Sequence, residues 1–219
     1  MTPQAFTEQL VRAYQLAREP SHRHDKLRRG ESRSVASEVE DLLAFYLVEN
    51  LPSIDRVRIN QPMSAFINKR RKTLKPDLLI IRDGEVRAFV DLKMDLGYKR
   101  DAIAATFLTA SKHLKAMRGG SVTFWETKRA AGGVQESVAV ATNAAYIFVV
   151  VTEKNATGSA YAKVEAAAKR LPLLALHTLV REVHPNDYGL SETELIALCS
   201  PQIARSLPAL QACVSNAVA

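Results

Sequence analysis

The chain has 219 residues, of which 47% are hydrophobic and 24% are charged. These proportions are typical of a globular protein with a real core, and they exclude a disordered chain. The formal net charge of +7 favours a polyanionic partner. Two cysteines without metal-ligand spacing and the absence of a long apolar run lead us to expect one cytoplasmic domain, residues 1–219, with no membrane contact.

Two helices are predicted in the first quarter of the chain. Apolar residues recur at helical spacing from Pro3 to Leu16 and again from Ser34 to Asn50. Either Ser34 or Ser37 can cap the second helix, and Ser37 with Glu40 fits a capping box.

The next segment predicts strands. Arg56 to Met63 is typical of an edge strand, and the run from Phe66 to Lys72 predicts a basic loop. Leu74 to Lys93 predicts a β-hairpin bent at Asp83-Gly84. On its second arm the even positions form an apolar face: Val86, Ala88, Val90, Leu92 and Met94.

Polar residues at the open end of this hairpin indicate a site. Asp91 and Lys93 are two residues apart on one strand and therefore project from the same face. Asp77 opens the partner strand. Two carboxylates and a lysine in this arrangement suit a divalent metal ion and a phosphodiester.

The register of the hairpin decides whether the two carboxylates meet. With a two-residue turn at Asp83-Gly84, Asp77 would lie opposite Val90, on the wrong face. With a three-residue loop that ends in Gly84 at positive φ, Asp77 would join the face of Asp91. The metal hypothesis therefore predicts the three-residue, bulged loop.

The rest of the chain, more than half of its length, alternates helices and strands. A helix is predicted from Asp101 to Met117, and a helical C-terminal segment from Ser191 to Ala219, broken at Pro201 and Pro208. Between them the patterns predict strands at 121–127, 135–142, 144–152 and 173–183 and a helix at 158–171. This order predicts an α/β fold with a mixed central sheet and helices on both faces.

The motif residues resemble the PD-(D/E)XK nuclease superfamily. Pro76-Asp77 matches the first half of its motif, and Asp91-Leu92-Lys93 the second, with 13 residues between the two aspartates. The resemblance covers roughly residues 34–118. It implies a restriction-endonuclease-like fold and catalytic Mg²⁺, for which Mn²⁺ can substitute, held by Asp77, Asp91 and the carbonyl oxygen of Leu92.

The resemblance also implies a role for a glutamate of the preceding helix. Glu40 fits the small-x-x-x-Glu-x-hydrophobic pattern best, and Glu38 is the alternative. Lys93 would either act on the attacking water or stabilise charge on the phosphate, and the sequence leaves both roles open.

Basic residues near the motif are candidates for DNA contact. Lys99 and Arg100 follow the motif strand closely, so we expect them to bind phosphate and to steepen the salt dependence of binding. Weaker candidates lie in two basic loops: Arg70, Arg71 and Lys72 in one, and Lys128 and Arg129 in the other.

Together these features predict a Mg²⁺-dependent endonuclease acting on double-stranded DNA, as a type II restriction enzyme. A structure-specific repair or recombination nuclease and a nucleic-acid-binding protein with an unused site are the alternatives. A homodimer is expected, because two-fold symmetry matches palindromic sites. Apolar residues of the C-terminal segment would form its interface or pack on the protein's own core: Leu195, Ile196, Leu207, Leu210 and Val214.

Overall fold

A computed structural model describes residues 1–18, 34–96, 102–125, 133–156 and 158–218. Five helices lie in these ranges: α1 Pro3–Arg18, α2 Ala36–Asn50, α3 Ile103–Met117, α4 Gly158–Lys169 and α5 Glu192–Val218. The strands are β1 Arg56–Ile59, β2 Met63–Ile67, β3 Arg70–Leu74, β4 Leu78–Arg82, β5 Glu85–Lys93, β6 Ser121–Trp125, β7 Gln135–Thr152 and β8 Leu174–Val180.

The strands form one open, mixed sheet, which confirms the predicted α/β class. Their order is β1-β4-β5-β7-β6-β2-β3, and β8 pairs with β7. The β5–β7 and β7–β8 pairs are parallel, and the other pairs are antiparallel. The motif strand β5 therefore lies between two neighbours near the centre of the sheet, which holds its side chains firmly.

Helices cover both faces of the sheet, as predicted. Ala88 and Val90 of β5 belong to a core formed with α1, α2 and α5. Phe148 and Val150 of β7 face the other way, into a core with α3 and α4. The even positions of β5 do not all share one face, because Val86 packs in a third cluster under β2 and β6.

The segment predicted as a basic loop is a β-hairpin. Residues Met63, Ala65 and Ile67 of β2 alternate into the core, and β3 pairs with them in an antiparallel register. Asn68 and Lys69 form its two-residue turn, both at positive φ. The prediction failed because a run of charged residues is typical of a loop. Here that run pairs with β2, whose buried residues lie just before it in the chain.

Strand β7 joins two segments that were predicted as separate strands. Its first part pairs with β6 and the start of β5, and its second part continues along β5 and β8. An irregularity in the β5–β7 pairing lies between the two parts. Pairing with neighbouring strands before and after Thr142-Asn143 thus keeps β7 one strand through this polar step.

Helix α5 contains both Pro201 and Pro208 and is not broken, which corrects the predicted interruptions. A proline inside a helix costs about 3 kcal/mol because it removes a hydrogen bond and crowds the preceding turn. Burial of one helix face offsets this cost. The wholly buried residues of that face are Leu195, Cys199, Ile203, Leu207, Leu210 and Val214.

This burial also decides between the two alternatives for the C-terminal segment, in favour of packing on the protein's own core. Four of the five residues predicted for it are wholly buried in the core of the single chain, and only Ile196 is half-buried. The side chains that pack against α1 and β8 are not available to a second copy.

None of the helices in the described ranges is long and apolar enough to cross a membrane.

Candidate active site

The turn of the motif hairpin contains two residues, Asp83 and Gly84, and Arg82 pairs with Glu85. Their φ angles are 54° and 72°, the left-handed values that a tight hairpin turn requires. The predicted positive φ at Gly84 is confirmed, but the predicted three-residue loop is wrong. Asp is one of the few residues besides glycine that enters the left-handed region readily, so both turn positions can adopt it.

A β-bulge further along the hairpin restores the face that this turn would have reversed. Arg87 is the extra residue on β5. The pairs that flank it are Ile81 with Val86 and Ile80 with Ala88. Beyond the bulge Leu78 pairs with Val90. The preceding residue, Asp77, therefore lies beside Asp91, as the metal hypothesis requires.

Three oxygen atoms surround the ammonium group of Lys93. Its Nζ lies 3.9 Å from Oδ2 of Asp77 and 3.8 Å from Oδ2 of Asp91. It also donates a hydrogen bond of 3.2 Å to the carbonyl oxygen of Leu92. Asp77 is further fixed because its Oδ2 accepts a hydrogen bond of 2.6 Å from the backbone N–H of Leu92. The oxygens predicted to bind a metal thus converge on one cation.

The carboxylate of Asp91 is destabilised in its charged form. Burial raises its pKa, Lys93 opposes that rise, and the nearby charge of Asp77 adds to it. A hydrogen bond from Tyr146 also favours the charged form. Burial is the largest cause of the raised pKa, and a divalent cation bound beside Asp91 would stabilise its charged form.

Tyr146 belongs to the site and was missed by the sequence analysis. Its ring lies between Phe89 and Phe148, with centroid distances of 5.9 Å and 5.1 Å. Burial, followed by the charge of Asp91, raises the pKa of its hydroxyl, which stays protonated and donates to Asp91. The sequence shows a tyrosine near the start of an apolar run, but it does not show that Asp91 is its partner. The two residues meet because β7 pairs in parallel with β5, and α3 and β6 separate these strands along the chain.

Of the two candidate glutamates, Glu40 is the one near the aspartates. It is buried on α2, and burial raises its pKa, with the charge of Asp77 adding to the rise. Its carboxylate accepts a hydrogen bond from the Asn60 side chain, while the Asn60 backbone N–H donates to the Asp77 carbonyl at 2.7 Å. Glu38 is exposed and lines a separate groove with α1.

The start of α2 explains why the Glu40 carboxylate can bond to Asn60 and does not cap its own helix. The helix begins at Ala36, and the side chain of Ser34 accepts a hydrogen bond of 3.3 Å from the Ala36 N–H. Ser37 lies inside the helix, so the predicted capping box of Ser37 with Glu40 is wrong. The glutamate bonds to a residue beyond β1 rather than to its own helix end.

The donor set fits a hard cation such as Mg²⁺. The described ranges hold no group of three or more Asp, Glu, His and Cys side chains arranged as a complete metal site. Asp77, Asp91 and the Leu92 carbonyl offer three oxygens, and Mg²⁺ commonly takes few protein ligands and keeps several waters. Because Lys93 now contacts all three oxygens, its ammonium would have to move aside when the metal binds.

The predicted DNA contacts fall into two groups. Lys99, Arg100, Lys128 and Arg129 lie outside the described residues. Arg70, Arg71 and Lys72 are exposed on the edge strand β3, not in a loop. Among these three, Lys72 reaches toward the site, since its Nζ lies 3.5 Å from Nε2 of His113 on α3.

Comparison with known proteins gives no match. No protein-family model matches this chain, and searches of curated proteins and of solved structures also found none. The resemblance of its motif to the PD-(D/E)XK nucleases therefore remains a hypothesis based on the residues themselves.

Proposed function

We propose that this protein is a Mg²⁺-dependent endonuclease that hydrolyses phosphodiester bonds of double-stranded DNA. The observation that carries the proposal is the convergence of Asp77, Asp91 and the Leu92 carbonyl on the Lys93 ammonium. This arrangement combines oxygen ligands for a metal with a basic group for a phosphate or a water molecule.

The elements around the site support the restriction-endonuclease-like fold that the motif implies. The helix that carries Glu40 precedes the motif hairpin, and α3 follows it. Strand β5 lies in the middle of a mixed sheet, so the motif residues start from a rigid scaffold.

Each residue has a distinct part in the proposed reaction. Bound Mg²⁺ would supply charge neutralisation at the phosphate and activation of the attacking water. Asp77 and Asp91 would hold that ion, and Tyr146 orients the carboxylate of Asp91. Lys93 either acts on the attacking water, as a base only after its ammonium has lost a proton, or stabilises as an ammonium the charge that develops on the phosphate. Glu40, linked to Asp77 through Asn60, completes the acidic side of the site.

Nicking of a supercoiled plasmid tests the proposal. The purified protein should convert the plasmid to open-circular and linear forms with Mg²⁺ or Mn²⁺, and it should be inactive with EDTA. Asp77→Asn and Asp91→Asn should each reduce cleavage more than about 100-fold, because first-sphere ligands matter at least as much as the groups that orient them. Both variants should still bind DNA, since each loses a negative charge.

Cleavage of other DNA substrates and a DNA-binding assay separate this proposal from its alternatives. Discrete fragments from phage DNA would support a type II restriction enzyme, whereas cleavage confined to branched or damaged substrates would support a repair or recombination nuclease. DNA binding without metal-dependent cleavage would show a DNA-binding protein and overturn the proposed nuclease activity.

A homodimer and a cytoplasmic location belong to the same proposal. Two subunits would match the two strands of a palindromic duplex. Light scattering of the protein alone and with a short duplex measures the oligomeric state. A monomer under both conditions would contradict the dimer without affecting the assignment of the site.

A further inference from the structure

Two nitrogen-bearing side chains meet at the edge of the candidate active site. Lys72 of β3 and His113 of α3 are 41 residues apart in the chain, yet Nζ and Nε2 lie 3.5 Å apart. Within the described ranges neither residue forms an ion pair with a carboxylate. Burial lowers the pKa of His113, and the charge of Lys72 lowers it further. The lowered pKa favours the neutral imidazole of His113, so the positive charge of the pair is that of Lys72, and His113 adds a ring nitrogen that can form a hydrogen bond.

His113 also lines two cavities that reach the acidic cluster. One, of about 90 Å³, lies between α3 and the connection from β3 to β4 and is lined by Lys75, Pro76 and Asp91. The other is an open groove of about 410 Å³ along α3, here called the α3 groove, which ends at Asp91 and Tyr146. His113 thus lies on a path by which a substrate could approach Asp91, with Lys72 beside it.

The wall of the α3 groove leaves room for an extended ligand. The side chains that line it on α3 and at the residue before it are small or hydroxyl-bearing: Ala102, Ala105, Thr106, Thr109 and Ala110. From Thr106 to His113 the helix advances about 10 Å, at 1.5 Å per residue. Duplex DNA advances about 3.4 Å per phosphate along one strand, so a strand in the groove would bring a phosphate to each end.

We propose that Lys72 and His113 jointly bind one backbone phosphate of the DNA strand that lies in the α3 groove next to the cleaved bond. This proposal rests on the nuclease function proposed above and names the path of the substrate in that site. The phosphate would supply a counter-charge for Lys72, which reaches the groove from β3 through its contact with His113.

Fluorescence anisotropy with a labelled duplex in EDTA tests this contact without cleavage. The variants are Lys72→Gln and His113→Gln, and the control is Lys115→Gln, a lysine exposed on another side of α3. Each of the first two should weaken binding several-fold, and Lys72→Gln should flatten the slope of log K against log[salt] by about 0.9. Lys115→Gln should match the wild type.

A double variant sharpens the test. If one phosphate contacts both side chains, replacing both should cost less than the sum of the single losses. Lys72 is exposed and its replacement should leave the fold intact, so its result stands even if His113→Gln lowers the melting temperature. Wild-type affinity and slope in Lys72→Gln would overturn the proposed contact.

Three further outcomes show how this inference and the function itself can fail separately or together. A wild-type protein that nicks plasmid, with Lys72→Gln binding DNA normally, would overturn the contact and leave the nuclease in place. A wild-type protein that neither nicks nor binds DNA would overturn both. Displacement of the duplex by inorganic phosphate at equal molar concentration would show a site for free phosphate and overturn the strand path.

Discussion

Two hairpins of this protein have the same kind of turn and opposite surroundings. The β4–β5 hairpin turns at Asp83-Gly84 and the β2–β3 hairpin at Asn68-Lys69, and all four residues have positive φ. Strand β4 is almost wholly buried between β1 and β5, whereas β3 is an exposed edge strand. Position in the sheet, and not the turn, decides which hairpin holds the acidic cluster and which supplies basic residues.

The comparison has a physical basis. A buried strand with neighbours on both sides fixes carboxylates within a narrow geometry, which a metal site needs. An exposed edge strand places lysine and arginine in water at little cost, where they can attract a polyanion. We expect changes in the central hairpin to affect chemistry and changes in the edge hairpin to affect binding.

The largest effect should come from Lys93→Met, which keeps the length of the side chain and removes its charge. Cleavage should fall by about 10²–10³-fold, as for loss of a group that stabilises a developing charge. Mg²⁺ binding, measured by calorimetry, should be retained or tightened because the ammonium no longer competes for the oxygens. Lys163→Met, exposed on α4, is the control. Near-normal cleavage would limit Lys93 to a structural ion pair.

Tyr146→Phe should lower cleavage by about 10–100-fold, the usual effect of removing a group that orients a metal ligand. Loss of its hydrogen bond should also raise the pKa of Asp91, so the acidic limb of the pH–rate profile should move to higher pH. Tyr161→Phe removes a hydroxyl bonded to Thr178 far from the cluster and serves as the control. An unchanged profile would show that Tyr146 only packs.

Substitutions at the two turns compare the hairpins directly. Gly84→Ala should destabilise the protein by about 1–2 kcal/mol, because a side chain is strained at φ 72° although no atom lies near enough to clash. Lys69→Gly should stabilise it by up to about 1 kcal/mol, since Lys69 already bears that strain at φ 63°. Urea unfolding measures both. Changes of the same sign would contradict the assigned conformations.

The smallest effect concerns stability and pH. The pKa of Asp91 is raised in the folded protein above its ordinary 3.8, so the wild type loses stability as pH rises from that value through the folded pKa. Asp91→Asn has no such loss and should melt a few degrees higher at neutral pH, with the difference vanishing in acid. Asp41→Asn, exposed on α2, is the control. A constant difference at all pH values would contradict this account.

Much of the molecule follows from local patterns in its sequence. Periodic apolar residues predicted all five helices to within a few residues, and alternation with a tight turn predicted the motif hairpin. Asp77, Asp91 and Lys93 could be singled out because their spacing on adjacent strands limits where they can point. Such features depend on neighbours within a few residues, which a sequence displays directly.

Features that depend on distant partners appeared only in the folded chain. The bulge at Arg87 sets the face of Asp77, although the sequence suggested a longer turn for the same outcome. Tyr146 and His113 reach the site because β7 lies parallel to β5 and α3 crosses near β3. Burial against α1 and β8 keeps α5 continuous through two prolines. The bulge arises within one hairpin, whose sequence allows more than one register. In the other cases the deciding free energy comes from packing or pairing between segments tens of residues apart, which no local pattern records.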